Sequence, residues 1–249
     1  MPIPKVRGLG LRANGPFWAS YARSVWLPQI QVLSETVVDR ALPAFAEIER
    51  EAELVSEERW VKLSAFAGPD TDPADLADAA RDAGVIYYQL RSSARQALVN
   101  LFCVALHHLV EQQLLTLLRR ELLPMSDEDN RKLLNRPTVV AALRMQGIDV
   151  EGFPEWKHLD ELRLVANVVK HAEGDSSDKL KDRRPDLFTP EILRGEPGSP
   201  PFGSHGPVLN PMSGDDLYIS DNDLADYFTF AEGFWRRLAE AMEALASRS

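Results

Sequence analysis

The stretch ELRLVANVVKHAEGDSS, residues 161–177, sets four polar side chains in an otherwise aliphatic run. Histidine exchanges a proton near neutral pH, a cation can stabilise the charge that develops on a phosphorane, and asparagine can orient a phosphate oxygen. If a ribose 2′-hydroxyl is the nucleophile, such a set needs no metal ion and leaves a 2′,3′-cyclic phosphate. The side chains concerned are Arg163, Asn167, Lys170 and His171.

These four side chains fall on one side of a helix. Each residue of a helix is rotated by about 100° from the last, so that Lys170 lies about −20° and Asn167 about 40° from Arg163. His171 and Asp160 fall at about 80° and 60° by the same geometry. Leucine, valine and alanine fill most of the remaining arc, as in a helix that packs against a core. The pattern predicts a narrow polar stripe on a largely buried helix.

A helical bundle with an arginine and then a histidine on a late helix resembles the HEPN domains (higher eukaryotes and prokaryotes nucleotide-binding). Many HEPN domains are metal-independent ribonucleases of toxin, phage-defence and CRISPR systems. The resemblance covers the helical plan of residues 83–184 and one short motif. It implies that Arg163 and His171 match the arginine and histidine of the family motif, with Asn167 as an accessory group. Because the family usually builds its site from two such helices across a dimer interface, the resemblance also implies a homodimer.

The motif departs from the family pattern in its spacing. Seven residues, LVANVVK, separate Arg163 from His171, where four to six are usual, and a leucine follows the arginine where the family often has a polar residue. The two ends of the motif are about 12 Å apart along the helix axis. Lys170 and Asn167 are nearer to His171 and could take the phosphate role instead. We therefore expect His171 as the general acid/base, with the other three polar side chains at the phosphate.

A basic segment, DKLKDRRPDLF, follows the motif. Its four cations are the expected contacts of an RNA backbone. Three interleaved aspartates leave open that the segment is a solvated helix ended by Pro185. The four cations are Lys179, Lys181, Arg183 and Arg184.

A second polar stripe lies on the longest predicted helix, where Asn100, His107 and Glu111 share a side. These residues could be hydrogen-bonded core polars, or His107 and Glu111 could ligate a metal ion, although no second helix repeats such a pattern. A third alternative is a shared site in which His107 or His108 faces His171 across the bundle. For the main site we expect neither a metal ion nor a cofactor.

A non-catalytic interpretation of the motif also stays open. Asp160, Arg163 and Asn167 are spaced to form pairs along a helix surface, and Lys170 and His171 suit the negative end of a helix dipole. The chain would then be a helical interaction module of a multi-protein defence or regulatory system, with a protein as its partner. In the catalytic interpretation the partners are RNA and a second copy of the chain.

The elements that must position these residues are predicted to be helices. Apolar residues at three- and four-residue intervals predict a helix over residues 29–66, kinked at Pro43, and a short helix begins near Pro73. Residues 83–122 contain no proline and, after Gly84, no glycine, which predicts a central helix of about 38 residues, about 57 Å long. Its middle is apolar nearly all round, so neighbours should bury it on several sides.

Shorter helices are predicted on either side of residue 150. One is capped by Ser126 and another starts at Pro137. Pro154 opens the helix of the motif, and Gly174 is placed to end it in a left-handed cap. Seven prolines and five glycines then make residues 185–220 an irregular excursion, with a short strand pair expected around Val208 and DLYIS.

After the excursion, Ser220 or Asp221 caps a C-terminal helix. The chain is predicted to be a single domain over residues 1–249, with core helices at about 29–184 and 221–247. Its fold class is all-α: a helical bundle with one long central helix and an irregular Pro/Gly-rich excursion before the C-terminal helix.

Composition and charge disfavour several function classes. A formal net charge of −10 speaks against the broad basic surface that drives non-specific binding to duplex DNA or anionic membranes, but it allows a local basic pocket. The longest apolar run is interrupted by polar residues and is shorter than the roughly 18 residues of a membrane span. A single cysteine, Cys103, in an apolar setting is expected in the core, and with no secretory signal we expect a cytoplasmic protein.

Overall fold

The computed structural model of the chain describes residues 10–190, 193–194 and 206–246. Within these ranges the regular elements are helices and there is no strand, which confirms the predicted all-α fold. Part of the expected excursion and residue 247, the expected end of the C-terminal helix, lie outside the described ranges. The α-helices are α1 (Gly10–Tyr21), α2 (Leu27–Glu35), α3 (Ile48–Ala65), α4 (Pro73–Leu117), α5 (Arg136–Met145), α6 (Trp156–His171), α7 (Asp175–Arg183) and α8 (Asp221–Ala246).

The central helix is α4, and it is longer than the sequence pattern predicts. It begins at Pro73 because the Asp72 carboxylate accepts a hydrogen bond from the Ala74 amide at 2.8 Å, while proline suits the first turn. A short π-helix, Leu118–Leu122, continues α4, so that the helical run spans 50 residues. The prediction of a separate short helix near Pro73 was therefore wrong, whereas the prediction of one long helix is confirmed.

Gly84 lies within α4, at a point where α3 packs closely against it. A Cβ atom at Gly84 would lie 2.8 Å from the Ala52 carbonyl oxygen, so a side chain there would force the two helices apart. By length and composition alone, the run from Pro73 to Leu122 could cross a membrane, although core helices of soluble proteins meet the same criteria. The expectation that the chain has no membrane partner stays a prediction.

The helical core starts earlier than the expected residue 29, because α1 packs along α8. Trp18 stacks on Trp26 with ring centroids 5.6 Å apart, and Trp26 contacts Trp235 at 4.4 Å. A Cβ atom on Gly15 would lie 2.3 Å from the Met242 carbonyl oxygen, so glycine permits this close packing. The three tryptophans join α1, the turn after it and α8 into one core.

Two further local predictions were wrong. The segment after Ser126 is a 3-10 turn, Met125–Asp127, and not a helix, whereas α5 starts beside Pro137 as expected, capped by Asn135. The strand pair around Val208 is absent from the described residues. Its backbone donors at Leu209 and Asn210 bond instead to the Asp216 carboxylate, at 2.9 and 3.0 Å.

The described part of the excursion is fastened to α4. Buried Asn100 donates from its Nδ2 to the carbonyl oxygens of Pro211 and Leu217, at 2.7 and 3.0 Å. Gly214 has a left-handed φ of 94°, and a Cβ atom there would lie 2.1 Å from the Ser93 carbonyl oxygen. Asn100 is thus a hydrogen-bonded core residue, as one interpretation of the sequence predicted, and Cys103 beside it is also buried.

Candidate functional site

The polar stripe lies along α6 as the helical wheel places it. Arg163 and Asn167 are half-buried, whereas Lys170 and His171 at the C-terminal end are exposed. The rest of the helix is packed between α4, α7 and α8. Its buried apolar residues are Leu159, Leu162, Leu164, Val165, Ala166, Val168 and Val169.

α6 ends in an unusual turn immediately after His171. Ala172 has a φ of 59° and a ψ of −100°, and its amide donates to the Val168 carbonyl oxygen at 2.7 Å. The expected left-handed cap at Gly174 was therefore misplaced by two residues, and Gly174, with φ 130°, precedes α7 instead. A positive φ at alanine is strained, so packing and hydrogen bonds must hold this turn in place.

A line of three polar side chains connects α4 with the end of α6. The Glu111 carboxylate lies 3.0 Å from Nδ1 of His108, and the Lys170 ammonium lies 3.3 Å from Nε2 of the same ring. Because a lysine ammonium can only donate, this contact makes Nε2 the acceptor, which leaves Nδ1 to donate its hydrogen to Glu111. The sequence left open that His107 or His108 faces His171 across the bundle. The structure brings His108 to α6, where it contacts Lys170, the residue before His171.

His108 is reachable from outside. Its side chain is about one-third exposed and lies at the edge of a wide cleft of about 830 Å³ between α2 and α4. The walls of this cleft are largely apolar, with Val25, Val32 and Leu109 among them. A flat, partly apolar group such as a nucleobase could therefore lie beside the histidine.

His107, the neighbouring residue, is in a drier environment. Burial is the main cause that lowers its pKa, to about 4, and the nearby His108, Arg136 and Arg163 lower it further while Glu111 opposes them. The ring is therefore neutral at pH 7. It lines a cavity of about 30 Å³ together with Arg136 and Trp156.

The residues that could hold a metal ion are His107, His108 and Glu111. Their nearest ligand atoms all lie within 4.8 Å of one another, and imidazole with carboxylate suits zinc or another first-row metal. The Lys170 ammonium competes with such an ion, because it already occupies the free lone pair of His108 Nε2. The same three residues can therefore serve either as ligands or as a proton-transfer pair next to a neutral histidine.

The other end of the stripe forms a charge network around Asp160. The Arg136 and Arg163 guanidiniums donate to its Oδ1, at 2.9 and 3.0–3.1 Å, and Arg183 donates to Oδ2 at 3.2 Å. Burial tends to raise the pKa of Asp160, but Arg163 and Arg136 outweigh it and hold the pKa below its usual value. The Asp160–Arg163 pair is the helix-surface pair that the spacing predicted.

The four cations of the segment after the motif do not share one environment. Lys179 is exposed, and Lys181 donates to the Gly206 carbonyl oxygen at 2.8 Å while it packs over the Phe188 ring. Arg183 donates to Asp160, in the charge network described above. Arg184 is the exception, because carboxylates surround its guanidinium; they belong to Glu161, Asp186 and Asp223.

Two contacts in this region were not anticipated from the sequence. Asn167 donates to the Ser176 hydroxyl at 3.3 Å, which ties the middle of the stripe to α7. Arg136 comes from α5, stacks over the Trp156 ring at 4.2 Å and reaches Asp160. Its only signal in the sequence is a cation next to Pro137 at the start of a predicted helix, which does not indicate what it faces.

Comparison of the chain with models of protein families, with curated proteins and with solved structures found no match.

Proposed function

We propose that this chain is a metal-independent endoribonuclease of the HEPN-like type, with its active surface where the end of α6 meets α4. The observation that carries the proposal is the line Glu111–His108–Lys170. In it the imidazole lies within hydrogen-bonding distance of a carboxylate on one side and of an ammonium on the other. The reaction is attack by a ribose 2′-hydroxyl on the adjacent phosphate, with a 2′,3′-cyclic phosphate as product.

His108 is the proposed general base. The Glu111 carboxylate orients the ring and stabilises the imidazolium that forms when Nε2 takes a proton, which is the role of the acid in a carboxylate–histidine pair. For substrate to reach Nε2, the Lys170 ammonium must move aside. It can do so at little cost because its side chain is exposed and flexible.

Lys170 then serves the phosphate. As the 2′-oxygen bonds to phosphorus and the bond to the 5′-oxygen breaks, negative charge grows on the non-bridging oxygens, and a displaced ammonium beside them stabilises it. The protonated imidazole of His171, the next residue on the chain, gives a proton to the leaving 5′-oxygen. The reaction balances, since His108 receives one proton and His171 donates one. Asn167 and Arg163 continue the polar line along the strand.

The test is cleavage of labelled RNA by the purified chain in EDTA, with analysis of product ends. We expect wild type to leave 2′,3′-cyclic phosphate ends, and we expect His108→Ala and His171→Ala each to cleave about 100-fold more slowly or worse. His158→Phe is the matched control, because His158 stacks on Phe230 with centroids 3.5 Å apart and the phenyl ring preserves that contact. No cleavage by wild type, or equal cleavage by all variants, would refute the mechanism.

EDTA also separates this proposal from a metal enzyme. If His107, His108 and Glu111 hold a catalytic ion, chelation abolishes cleavage and elemental analysis of the untreated protein finds a bound metal. In that case His107→Ala should be as damaging as His108→Ala. For the metal-independent reaction, cleavage survives chelation.

A homodimer is part of the proposal, by resemblance to the HEPN domains. Sedimentation equilibrium should give twice the chain mass of 27.9 kDa, and cleavage should fall on dilution below the dimer dissociation constant. A monomer that cleaves RNA at full rate would contradict this part and leave the His108 chemistry intact.

The second candidate is a non-catalytic helical interaction module. The observation that favours it is a set of exposed apolar side chains on α3, the α3–α4 turn and the first half of α4, of which Phe66 is 91% exposed. Surfaces of this kind mark sites of protein association. Binding of a protein partner distinguishes the two candidates. The module binds its partner through Phe66 and Val61, whether or not His108 is intact.

A further inference from the structure

The region around Asp160 is a groove between α5, α6 and α7 with a volume of about 690 Å³. That is the size of sites that bind nucleotide-sized ligands. Trp156, Val140 and Pro137 form part of its apolar wall, and Asp160 lies at its base with the arginines that bind it. The groove shares Arg136 and Trp156 with the small cavity beside His107, so the two spaces adjoin.

The charges at Asp160 do not cancel. Three guanidiniums, from Arg136, Arg163 and Arg183, meet a single carboxylate, which leaves two positive charges uncompensated. Lys157 also lines the groove and adds a third. Arg144 is bound by two carboxylates, those of Asp149 and Glu151, so this group has a net charge of −1 and reduces the excess to two positive charges. An excess of this sign in a chain of net charge −10 makes the groove a local site for anions.

The arginines are also held in position. Arg136 is stacked on the Trp156 ring and only 21% exposed, so little side-chain entropy is lost when it binds a ligand. Each guanidinium has five N–H donors in a planar fork that matches phosphate oxygens, and the bonds to Asp160 engage a minority of them. Partial burial strengthens attraction for an anion relative to open water.

We propose that this groove binds a phosphate group of the RNA strand, one or more nucleotides away from the phosphate that is cleaved. The inference rests on the proposed function for the identity of the ligand. Arg163 precedes Lys170 by seven residues on the same face of α6, about 10 Å along the helix axis. A strand with its scissile phosphate at Lys170 therefore reaches the arginines when it follows the α6 stripe.

The experiment measures binding of a 2′-O-methyl oligoribonucleotide, which has no free 2′-hydroxyl and cannot be cleaved by the proposed reaction. The double variant Arg163→Gln, Arg183→Gln should bind at least about 10-fold more weakly than wild type. Its slope of log affinity against log salt should be smaller by about 0.7, because the contact with one phosphate of a single strand is lost.

The matched control is Arg119→Gln, Arg120→Gln. These arginines line a different cleft, and either double variant takes the net charge from −10 to −12. The control should bind nearly as well as wild type. Equal weakening of the two double variants would mean that RNA is held by general electrostatic attraction, and would contradict a specific site in the groove. Failure of wild type to bind this RNA would contradict it as well.

A gain-of-binding variant guards against misfolding. Asp160→Asn removes the one carboxylate that the arginines share, so its RNA affinity should rise about 3-fold or more, whereas a purely structural network predicts no gain. Cleavage is measured separately on unmodified RNA. If the groove variants lose binding but wild type does not cleave, the ribonuclease proposal fails and the RNA site stands.

Discussion

Two adjacent charge networks on α6 and α7 have opposite compositions. At Asp160 one carboxylate is shared by three arginines, whereas at Arg184 one guanidinium is shared by three carboxylates, those of Glu161, Asp186 and Asp223. Neighbouring residues of the chain belong to different networks: Asp160 and Arg183 to one, Glu161 and Arg184 to the other. Because successive helix residues point about 100° apart, the two networks face different sides of the helix pair.

The difference separates a structural network from a binding surface. Around Arg184 the carboxylates have other hydrogen bonds too: Glu161 accepts from the buried Tyr227 hydroxyl at 2.8 Å, and Asp223 accepts from Ser220. Hydrogen bonds and the carboxylate charges raise the pKa of Arg184. The network joins α6, the end of α7 and the start of α8. Around Asp160 the donors are in excess and the groove is open.

The largest effect should come from breaking the Arg184 network. Arg184→Leu leaves the buried Glu161 carboxylate without its cation, so we expect about 3 kcal/mol less free energy of unfolding. Urea denaturation followed by circular dichroism measures it. A loss under 1 kcal/mol would show that the two networks do not differ in their structural role.

A smaller effect is expected at the open network. Asp160→Asn removes the charge that holds three arginines together, which should cost about 1.5 kcal/mol at low ionic strength. Because the bare arginines then offer a better anion site, inorganic phosphate should restore more stability to this variant than to wild type. The exposed Asp178→Asn on α7 serves as control. An equal response to phosphate in all three proteins would contradict the comparison.

Local spacing in the sequence predicted the features that lie within a single helix. The 3.6-residue period predicted the stripe on α6, and the three-residue interval predicted the Asp160–Arg163 pair. The central helix α4 was predicted because residues 83–122 contain no proline and, after Gly84, no glycine. The contact of Lys170 with His108 joins residues 62 positions apart, and its geometry depends on how α4 and α6 cross. A single sequence contains no local signal for that crossing.

The same limit explains the wrong local predictions. Ser126 and its acidic neighbours satisfy the rules for a helix start, but the chain forms only a 3-10 turn there, Met125–Asp127, none of whose residues is buried. In the excursion, alternating residues suggested strands, whereas the backbone donors were satisfied by the Asp216 side chain. For Arg184 the charge pattern DKLKDRRPD suggested exposed cations, because the carboxylates of α6 and α8 that bind it are distant in sequence.

The pH dependence of stability tests the environment of His107, in the cavity beside the Asp160 groove, without any ligand. His107 has its pKa lowered to about 4 in the folded chain, against 6.5 for an ordinary histidine. Between these values the unfolded chain binds a proton that the folded chain does not, so the free energy of unfolding falls as pH drops from 6.5 toward 4, by on the order of 1 kcal/mol between pH 7 and 5.5. Urea midpoints of His107→Gln should be less sensitive over that window. An unchanged slope would contradict the buried, neutral ring.

The smallest effect is expected at the neighbour of Arg184. Arg183→Ala removes one of three arginines from Asp160, and its side chain is 41% exposed, so we expect a loss of about 0.5 kcal/mol or less. The contrast with Arg184→Leu, measured in the same buffer, is the sharpest form of the comparison. Equal losses at positions 183 and 184 would mean that the two sides of α7 are alike.

The turn at Ala172–Gly174 connects α6 with α7, so it affects how the two charge networks come together when the chain folds. The turn is short, and it fixes how α7 is rotated when it docks against α6. If α7 docked one residue out of register, so that Arg184 took the place of Arg183 beside Asp160, Pro185 would take the place of Arg184. Glu161 and Asp223 would then lose the cation that they share, so the misaligned form is penalised and the charge pattern helps to select a single docked arrangement of the two helices.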